Sequence, residues 1–414
     1  MRQRRPSLPL TSAGQVTRLP TGRLKSVSAR LKGPSALTSE GIPCGHVRCH
    51  LVTRMTLSIA QRTGTAARSE RRGLPFGGAE NARPHRIVAL GGGTGLPAVL
   101  EGLSELASEK GETDPLAVTG IVTVTDDGGS SGRLRRQFGM LPPGDARNCL
   151  VALTDRDSRF KELLQHRVDE GPGVVGHPVG NLLLAAMTQA TGDFAGAVHA
   201  LGKAMNVRGQ VLPATAGDVR LRAEFHDGEF IDGETSIVSH RAPIKRLSLH
   251  PSPQPLPEVL RALVNADGII VGPGSLYTSI LPNLLVEGVA ATIYGVNAVR
   301  IYVANLMTEP GETDDYSLDD HLNVIRAHTG FHLFDYILIN RRPVDGAAVR
   351  RYAEHGSQPV VADRLLKHAG NAQIVECDLA TEWNGAKIRH HPAFLARAIR
   401  ALVIAGRPGT IPAT

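Results

Sequence analysis

From residue 86 onward the chain alternates short, wholly apolar runs with longer stretches in which apolar residues recur every three or four positions. Arg86-Ile87-Val88-Ala89-Leu90 is the first such run; glycines end it, and Leu96, Val99, Leu100, Leu103 and Leu106 then follow at helical spacing. That pattern predicts a strand, a glycine-rich turn and a helix. Residues 116–125, rich in Val, Ile and Thr, read as a second strand, and 268–271, 300–303 and 336–339 as later ones. Helical periodicity marks 181–189, 194–205, 258–265, 318–327 and 394–404. Strands that are apolar on both faces and alternate with helices predict an α/β fold built on an open, mostly parallel sheet with helices on both faces. Between 210 and 249 the pattern changes to strict alternation. Val219 to Phe225, a turn at His226-Asp227-Gly228, and a second arm from Phe230 to Val238 predict a small antiparallel β-hairpin subdomain inserted beside the main sheet. No internal repeat is present, and residues 85–414 are enough for one large unit with a subdomain.

The first 84 residues have none of this periodicity. They are rich in Arg, Ser, Thr, Gly and Pro, which predicts a disordered basic extension, either dispensable or produced by a start site placed upstream of the working one. Such Arg-rich, acid-poor segments also resemble organellar transit peptides, whereas Met1-Arg2-Gln3-Arg4-Arg5 lacks the apolar run of a secretory signal. The extension also distorts the charge balance. The whole chain carries +7, but residues 1–84 hold 15 basic and 3 acidic side chains, leaving 31 basic and 36 acidic for the rest, a net −5. The pI of 9.4 therefore gives no ground for a nucleic-acid partner. No run of about 18 apolar residues exists, so no membrane span is expected. Cys44, His46, Cys49 and His50 lack structural-zinc spacing, while Cys149 and Cys377 lie in separate apolar segments, as small buried hydrophobes would in a reducing cytoplasm.

Candidate chemistry gathers where strands end. Gly91-Gly92-Gly93-Thr94-Gly95 joins a strand to a helix, and such a loop lets backbone N–H groups approach phosphate oxygens; a tight turn required only for packing is the alternative. Leu96 stands where a dinucleotide fingerprint needs its third glycine, and no acidic residue follows about twenty positions later, which disfavours an NAD-dependent dehydrogenase. Asp126-Asp127-Gly128-Gly129-Ser130-Ser131-Gly132-Arg133 follows the second strand. Its two carboxylates suit a hard cation such as Mg²⁺ or sugar hydroxyls, and Arg133, Arg135 and Arg136 suit phosphates; a polar turn with solvated arginines is the alternative. Asp145 precedes a helix as an N-cap would, with Asn148 close behind. His177 and Asn181, in Gly176-His177-Pro178-Val179-Gly180-Asn181, precede another helix and serve as hydrogen-bonding groups or loop structure. Gly272-Pro273-Gly274-Ser275-Leu276-Tyr277 repeats the strand, glycine loop, helix arrangement, with Tyr277 either stacking on a base or packing inside. A last polar loop runs from Asn305 to Asp314. No Gly-x-Ser-x-Gly elbow, His-Glu-x-x-His or Cys-x-x-Cys motif accompanies these loops.

Taken in this order, the six segments resemble the YvcK/CofD-like family over essentially all of 86–405. The resemblance implies a Rossmann-like fold, a cytoplasmic location, and binding of UDP-N-acetylglucosamine or UDP-glucose by a regulator needed for cell shape and wall synthesis during gluconeogenic growth. It also implies an alternative: the CofD branch comprises Mg²⁺-dependent 2-phospho-L-lactate transferases that use a nucleotide-activated donor. By motif match, residues 91–95 and 272–275 face the diphosphate, Tyr277 the nucleotide, and Asp126 and Asp127 the sugar, the ribose or a metal. Gly128, Gly129, Ser130, Ser131, Arg133, Asn148, His177 and Asn181 complete the expected ligand set. Thr308 and Thr313 are candidate targets of a Ser/Thr kinase, and a homo-oligomer is expected.

Overall fold

A computed structural model describes residues 83–109, 115–155, 158–362, 366–383 and 387–408. The expected N-terminal extension, with its Cys44, His46, Cys49 and His50, lies outside the described residues except for Arg83 and Pro84. Seven parallel strands form the main sheet: β1 (His85–Gly91), β2 (Leu116–Val122), β3 (Gln210–Pro213), β7 (Gly268–Val271), β8 (Val299–Val303), β9 (Tyr336–Asn340) and β10 (Gln373–Cys377). Their spatial order is β10-β9-β8-β7-β1-β2-β3. Three antiparallel strands, β4 (Arg220–Phe225), β5 (Phe230–Asp232) and β6 (Ile244–His250), make a separate sheet in the order β5-β4-β6. A hairpin of β11 (Ala380–Trp383) and β12 (Lys387–His390) completes the strands.

The helices on the first half of the chain are α1 (Gly95–Leu106), α2 (Gly129–Phe138), α3 (Gly144–Ala152), α4 (Arg159–Gln165), α5 (Val179–Thr191), α6 (Phe194–Ala204) and α7 (Glu234–His240). Then come α8 (Pro257–Val264), a π-helical turn at Leu276–Ile280 running into α9 (Leu281–Leu284), α10 (Val289–Gly295), α11 (Leu318–Thr329), α12 (Gly346–Ala353) and α13 (Pro392–Ala405). Because side chains alternate along a strand, β1 feeds both layers. Ile87 and Ala89 join Leu100 of α1, Leu150 of α3 and Ile399 of α13, while Val88 and Leu90 join Val259 of α8, Ile293 of α10 and Leu322 of α11. The continuous apolar runs follow from this double burial, each aliphatic side chain contributing about 1.5–3 kcal/mol. Cys149 is fully buried and Cys377 half-buried. Among the described residues no single helix is long and apolar enough to cross a membrane.

The open parallel sheet and the small antiparallel insertion are as expected, but the insertion is drawn differently. Residues 210–213 are β3, an edge strand of the main sheet, and the second hairpin arm stops at Asp232. Gly233, at φ +94°, turns the chain into α7, whose first turn is held by a side chain from another loop: Asp127 Oδ1 accepts from Thr235 N at 3.0 Å and from Thr235 Oγ1 at 2.7 Å. The long partner of β4 is instead β6. Local alternation carried no sign of a helix capped from a distance of more than a hundred residues.

Candidate functional site at the ends of the parallel strands

Following the chain, β1, β2 and β3 step toward one edge of the sheet, whereas β7, β8, β9 and β10 step toward the other. The reversal falls between β1 and β7, and ligands of open α/β sheets bind outside the strand ends at such a point. The two glycine loops meet there. A Cβ on Gly95 would lie 2.0 Å from the Pro273 carbonyl oxygen, so the approach requires glycine, and Gly272 and Gly274 hold φ +80° and +154°. Asn305, just beyond β8, accepts from Gly274 N at 3.0 Å and donates to Gly274 O at 2.9 Å; Asn283 donates to Gly91 O at 2.9 Å. The first N–H groups of a helix lack intrahelical partners, and Thr94, the N-cap of α1, makes no side-chain cap.

A cleft of about 370 Å³ opens over these loops. Thr94, Gly95, Pro273 and Gly274 line one side; Asn305 to Pro310, Tyr352 and His355 near the end of α12, and Ile388 to His390 of β12 line the rest. A smaller cavity of about 170 Å³ adjoins it at Asn305 and Leu306. Arg389 makes no hydrogen bond or ion pair among the described residues, so the cleft wall presents a cation without a partner. His390 bonds the Ala304 carbonyl at 3.2 Å through Nε2, and burial pushes its pKa down to about 4, leaving a neutral imidazole that donates. The wall from α12 and β12 is the part the sequence reading missed; its one linear signal was Arg389-His390-His391 directly before a helix.

The second-strand loop lies on the other flank of Gly91-Gly92-Gly93. Asp145 Oδ2 accepts from Gly93 N at 2.8 Å, so this amide is already used within the protein. Burial is the main reason that the Asp145 carboxyl rises to about 6, and the nearby Asp126 carboxylate adds to it. Asp126 Oδ1 accepts from Gly128 N at 2.9 Å. Glu234 at the start of α7 is raised as well, by burial and then by Asp126, Asp145, Glu312 and Asp127. Asp126 and Asp145 thus lie near enough to interact, with Glu234 close to both, while Asp127 is spent on α7. Gly132 packs against the Asp127 carbonyl, where a Cβ would come within 1.8 Å, and Ser131 packs on Gly144. Gly129 takes φ +46° at the start of α2, beside Ser130.

The remaining expected site residues divide. Thr94, Gly95 and Gly274 line the cleft; Gly91, Gly92, Gly93, Gly272 and Ser275 support it, Ser275 bonding the side chain of Glu309. Ser130, Arg133, Asn148, His177 and Asn181 form a separate cluster on the β2 side. Arg135 is structural, paired with Asp218 and donating to the Thr125 and Val219 carbonyls. Tyr277 is only 1% exposed; its ring meets Tyr316 and His328 edge-on and its hydroxyl lies 3.0 Å from that of Tyr316. The π-helical turn rotates this side chain into the core, so it does not stack on a cleft ligand. Thr308 and Thr313 are 2% and 0% exposed, and their hydroxyls accept from Gln358 N and Glu309 N at 3.0 and 2.9 Å. Neither is open to a kinase in this conformation.

Fold and cleft together define an open α/β protein with a glycine-lined cleft at its topological switch point. Residues 87–380 match the family described as 2-phospho-L-lactate transferase CofD, and the chain belongs to that family. Among curated relatives, the gluconeogenesis factor of Halalkalibacterium halodurans is 42% identical over 325 residues, covering 78% of this chain and 97% of that protein. The gluconeogenesis factor of Bacillus subtilis is 43% identical over 306 residues, covering 74% and 94%. A crystal structure of a Bacillus halodurans protein superposes with a TM-score of 0.72 at 42% identity, over 77% of this chain and all of that one.

Proposed function

We propose that this chain is a gluconeogenesis factor: a cytoplasmic regulator that holds a UDP-sugar, UDP-N-acetylglucosamine or UDP-glucose, in the switch-point cleft and serves cell shape and wall synthesis during gluconeogenic growth. The observation that carries the reading is the cleft wall itself. Two glycine loops and an uncapped helix start lie opposite Arg389, a cation without a partner among the described residues, which suits a diphosphate. Tyr352, Met307 and Ile388 give the same cleft apolar surface for a base. The relatives' names support the physiological part of the proposal.

A second reading, a transferase of a phosphate-linked group, is favoured by the family description and by Asp126 and Asp145. Among the described residues no three His, Cys, Asp or Glu side chains are grouped to hold a metal. Mg²⁺ commonly takes one or two protein carboxylates and completes its shell with water and substrate phosphates, so the pair fits that ion. Such an ion would supply charge neutralisation at a diphosphate; Asp126 and Asp145 would hold and orient it.

Calorimetric titration of the full chain with UDP-N-acetylglucosamine, UDP-glucose, UDP, GDP and NAD, with and without Mg²⁺, tests both readings. UDP-sugar binding without turnover is the expected result. Metal-dependent consumption of a nucleotide donor would overturn the regulator, and binding of NAD alone would overturn both.

A further inference from the structure

Three helices begin within one hydrogen-bonded cluster on the β2 side of the sheet. α2, α3 and α5 follow Gly128, Pro143 and Pro178, and none of these residues caps its helix with a side chain. Ser130 Oγ lies 2.7 Å from His177 Nδ1 and accepts from Asn181 Nδ2 at 3.0 Å; Asn181 Oδ1 in turn accepts from Arg147 Nη1 at 2.9 Å. Arg147 Nη2 donates to Asn148 Oδ1. The Arg147 stem lies where a Cβ on Gly180 would meet it at 2.8 Å, so the guanidinium is seated between α3 and α5.

This guanidinium makes no salt bridge among the described residues; the Asp145 carboxyl, two residues before it, acts on it only at longer range. Arg147 is 9% exposed, its described partners are neutral amides, and burial followed by the proximity of Arg167 pushes its pKa down to about 10. A buried ion is tolerated when a counter-charge compensates its lost hydration. Two buried polar atoms here also have no hydrogen-bond partner, Arg147 Nε and His177 Nε2. Nε and Nη2 form the edge with which arginine grips an oxyanion, and half of it is free. Ser130 Oγ, accepting from Asn181, keeps its own O–H to donate to His177 Nδ1, and in that tautomer the unpartnered Nε2–H is a donor. Arg133 and Arg167 add positive charge around His177. Asp145 spends Oδ2 on Gly93 N and offsets the Arg147 charge only in part, since the guanidinium stays below its ordinary pKa. Helix starts, guanidiniums and the imidazole thus gather at this junction, with Arg147 Nε and His177 Nε2 left as unpaired groups.

We propose that the junction of α2, α3 and α5 is a second binding site, taking a small oxyanion: inorganic phosphate, a phosphomonoester or a carboxylate. It goes beyond the cleft reading and stands whether or not the cleft holds a UDP-sugar. Helix α3 links the two places, since Asp145 in its first turn touches the Gly93 loop and Arg147, two residues later, serves the junction. An anion held there sits on the opposite flank of that loop from the cleft.

The test is thermal denaturation and calorimetry of the full chain in chloride at matched ionic strength, with inorganic phosphate, glycerol phosphate or lactate added, each with and without UDP. Saturable binding of at least one of these, undiminished by saturating UDP, is expected, and the tightest of the three identifies the source of the anion. Arg147→Gln should weaken it by at least about tenfold, and Arg133→Gln by about threefold, with UDP affinity unchanged in both. Arg133 sits on the helix surface and bonds only the Val175 carbonyl at 3.0 Å among the described residues, so its variant carries the test if Arg147→Gln does not fold. Displacement of phosphate by UDP, no saturable binding of any probe, or binding unaffected by both substitutions would overturn the proposal. Phosphate binding without UDP binding would sink the cleft reading and leave this one standing.

Discussion

Exchanging Glu312 for glutamine should abolish much of the loss of stability that the native protein undergoes as pH rises. The side chain is 9% exposed; it accepts from Tyr277 N at 3.3 Å and from Thr278 Oγ1 at 3.1 Å. Burial, and then the neighbouring Glu309, push its carboxyl from 4.5 to about 8. The folded pKa lies above the unfolded one, so between pH 4.5 and 8 the native state keeps a proton that the unfolded chain has released. Stability from this group is complete below pH 4.5 and is lost as pH climbs to 8. At about 1.36 kcal/mol per unit, a rise of about 3.5 units sets a ceiling of about 5 kcal/mol. Local relaxation and water entry reduce the expected loss to about 1–3 kcal/mol. Glutamine never ionises; its one oxygen accepts from Tyr277 N and its NH2 donates to Thr278 Oγ1, the same division of one acceptor and one donor that the protonated Glu312 carboxyl has. Glu312→Gln should therefore match the native protein at pH 4.5 and exceed it by about 1–3 kcal/mol at pH 8. Urea unfolding at pH 5, 6.5 and 8 reads this directly; comparison with the variant cancels Asp145, whose raised pKa acts in the same direction, while Glu309 and Glu234, which feel the Glu312 charge, flatten the pH slope of the variant further. A variant with the same pH slope as the native protein would refute the reasoning.

Gly95→Ala places a methyl group against the Pro273 carbonyl, so it should cost about 2 kcal/mol or more in urea unfolding and abolish UDP-sugar binding; a stable variant that binds normally would show that the two loops need not touch. Arg389→Ala should leave the melting temperature unchanged and weaken UDP-sugar affinity about tenfold or more by calorimetry, whereas unchanged affinity would remove this residue from the site. Tyr277→Phe loses the contact with Tyr316 and should cost about 1 kcal/mol of stability with no change in ligand affinity. A selective loss of affinity in that variant would restore the ring to the cleft.

Residue order alone specified the layered core and the position of the cleft along the chain. Runs such as Ile87 to Leu90 and Gly268 to Val271 are apolar on both faces because both faces are covered, and glycines fall at the strand ends because two loops must touch. Those are local consequences of burial and backbone geometry, and they are written locally. The partner of each carboxylate was not. Asp126 and Asp127 are neighbours in sequence, yet Asp127 caps a helix in the inserted subdomain while Asp126 bonds Gly128 N and lies near enough to Asp145 to raise its carboxyl. The place of Tyr277 after a glycine loop left both stacking on a base and internal packing open, and one π-helical turn sent it inward. The far wall of the cleft comes from residues 352–355 and 388–390, which no linear spacing relates to residue 94. Only the packed structure shows that Arg147 is a buried cation answered by amides, because desolvation depends on which helices converge around a side chain and not on its neighbours along the chain.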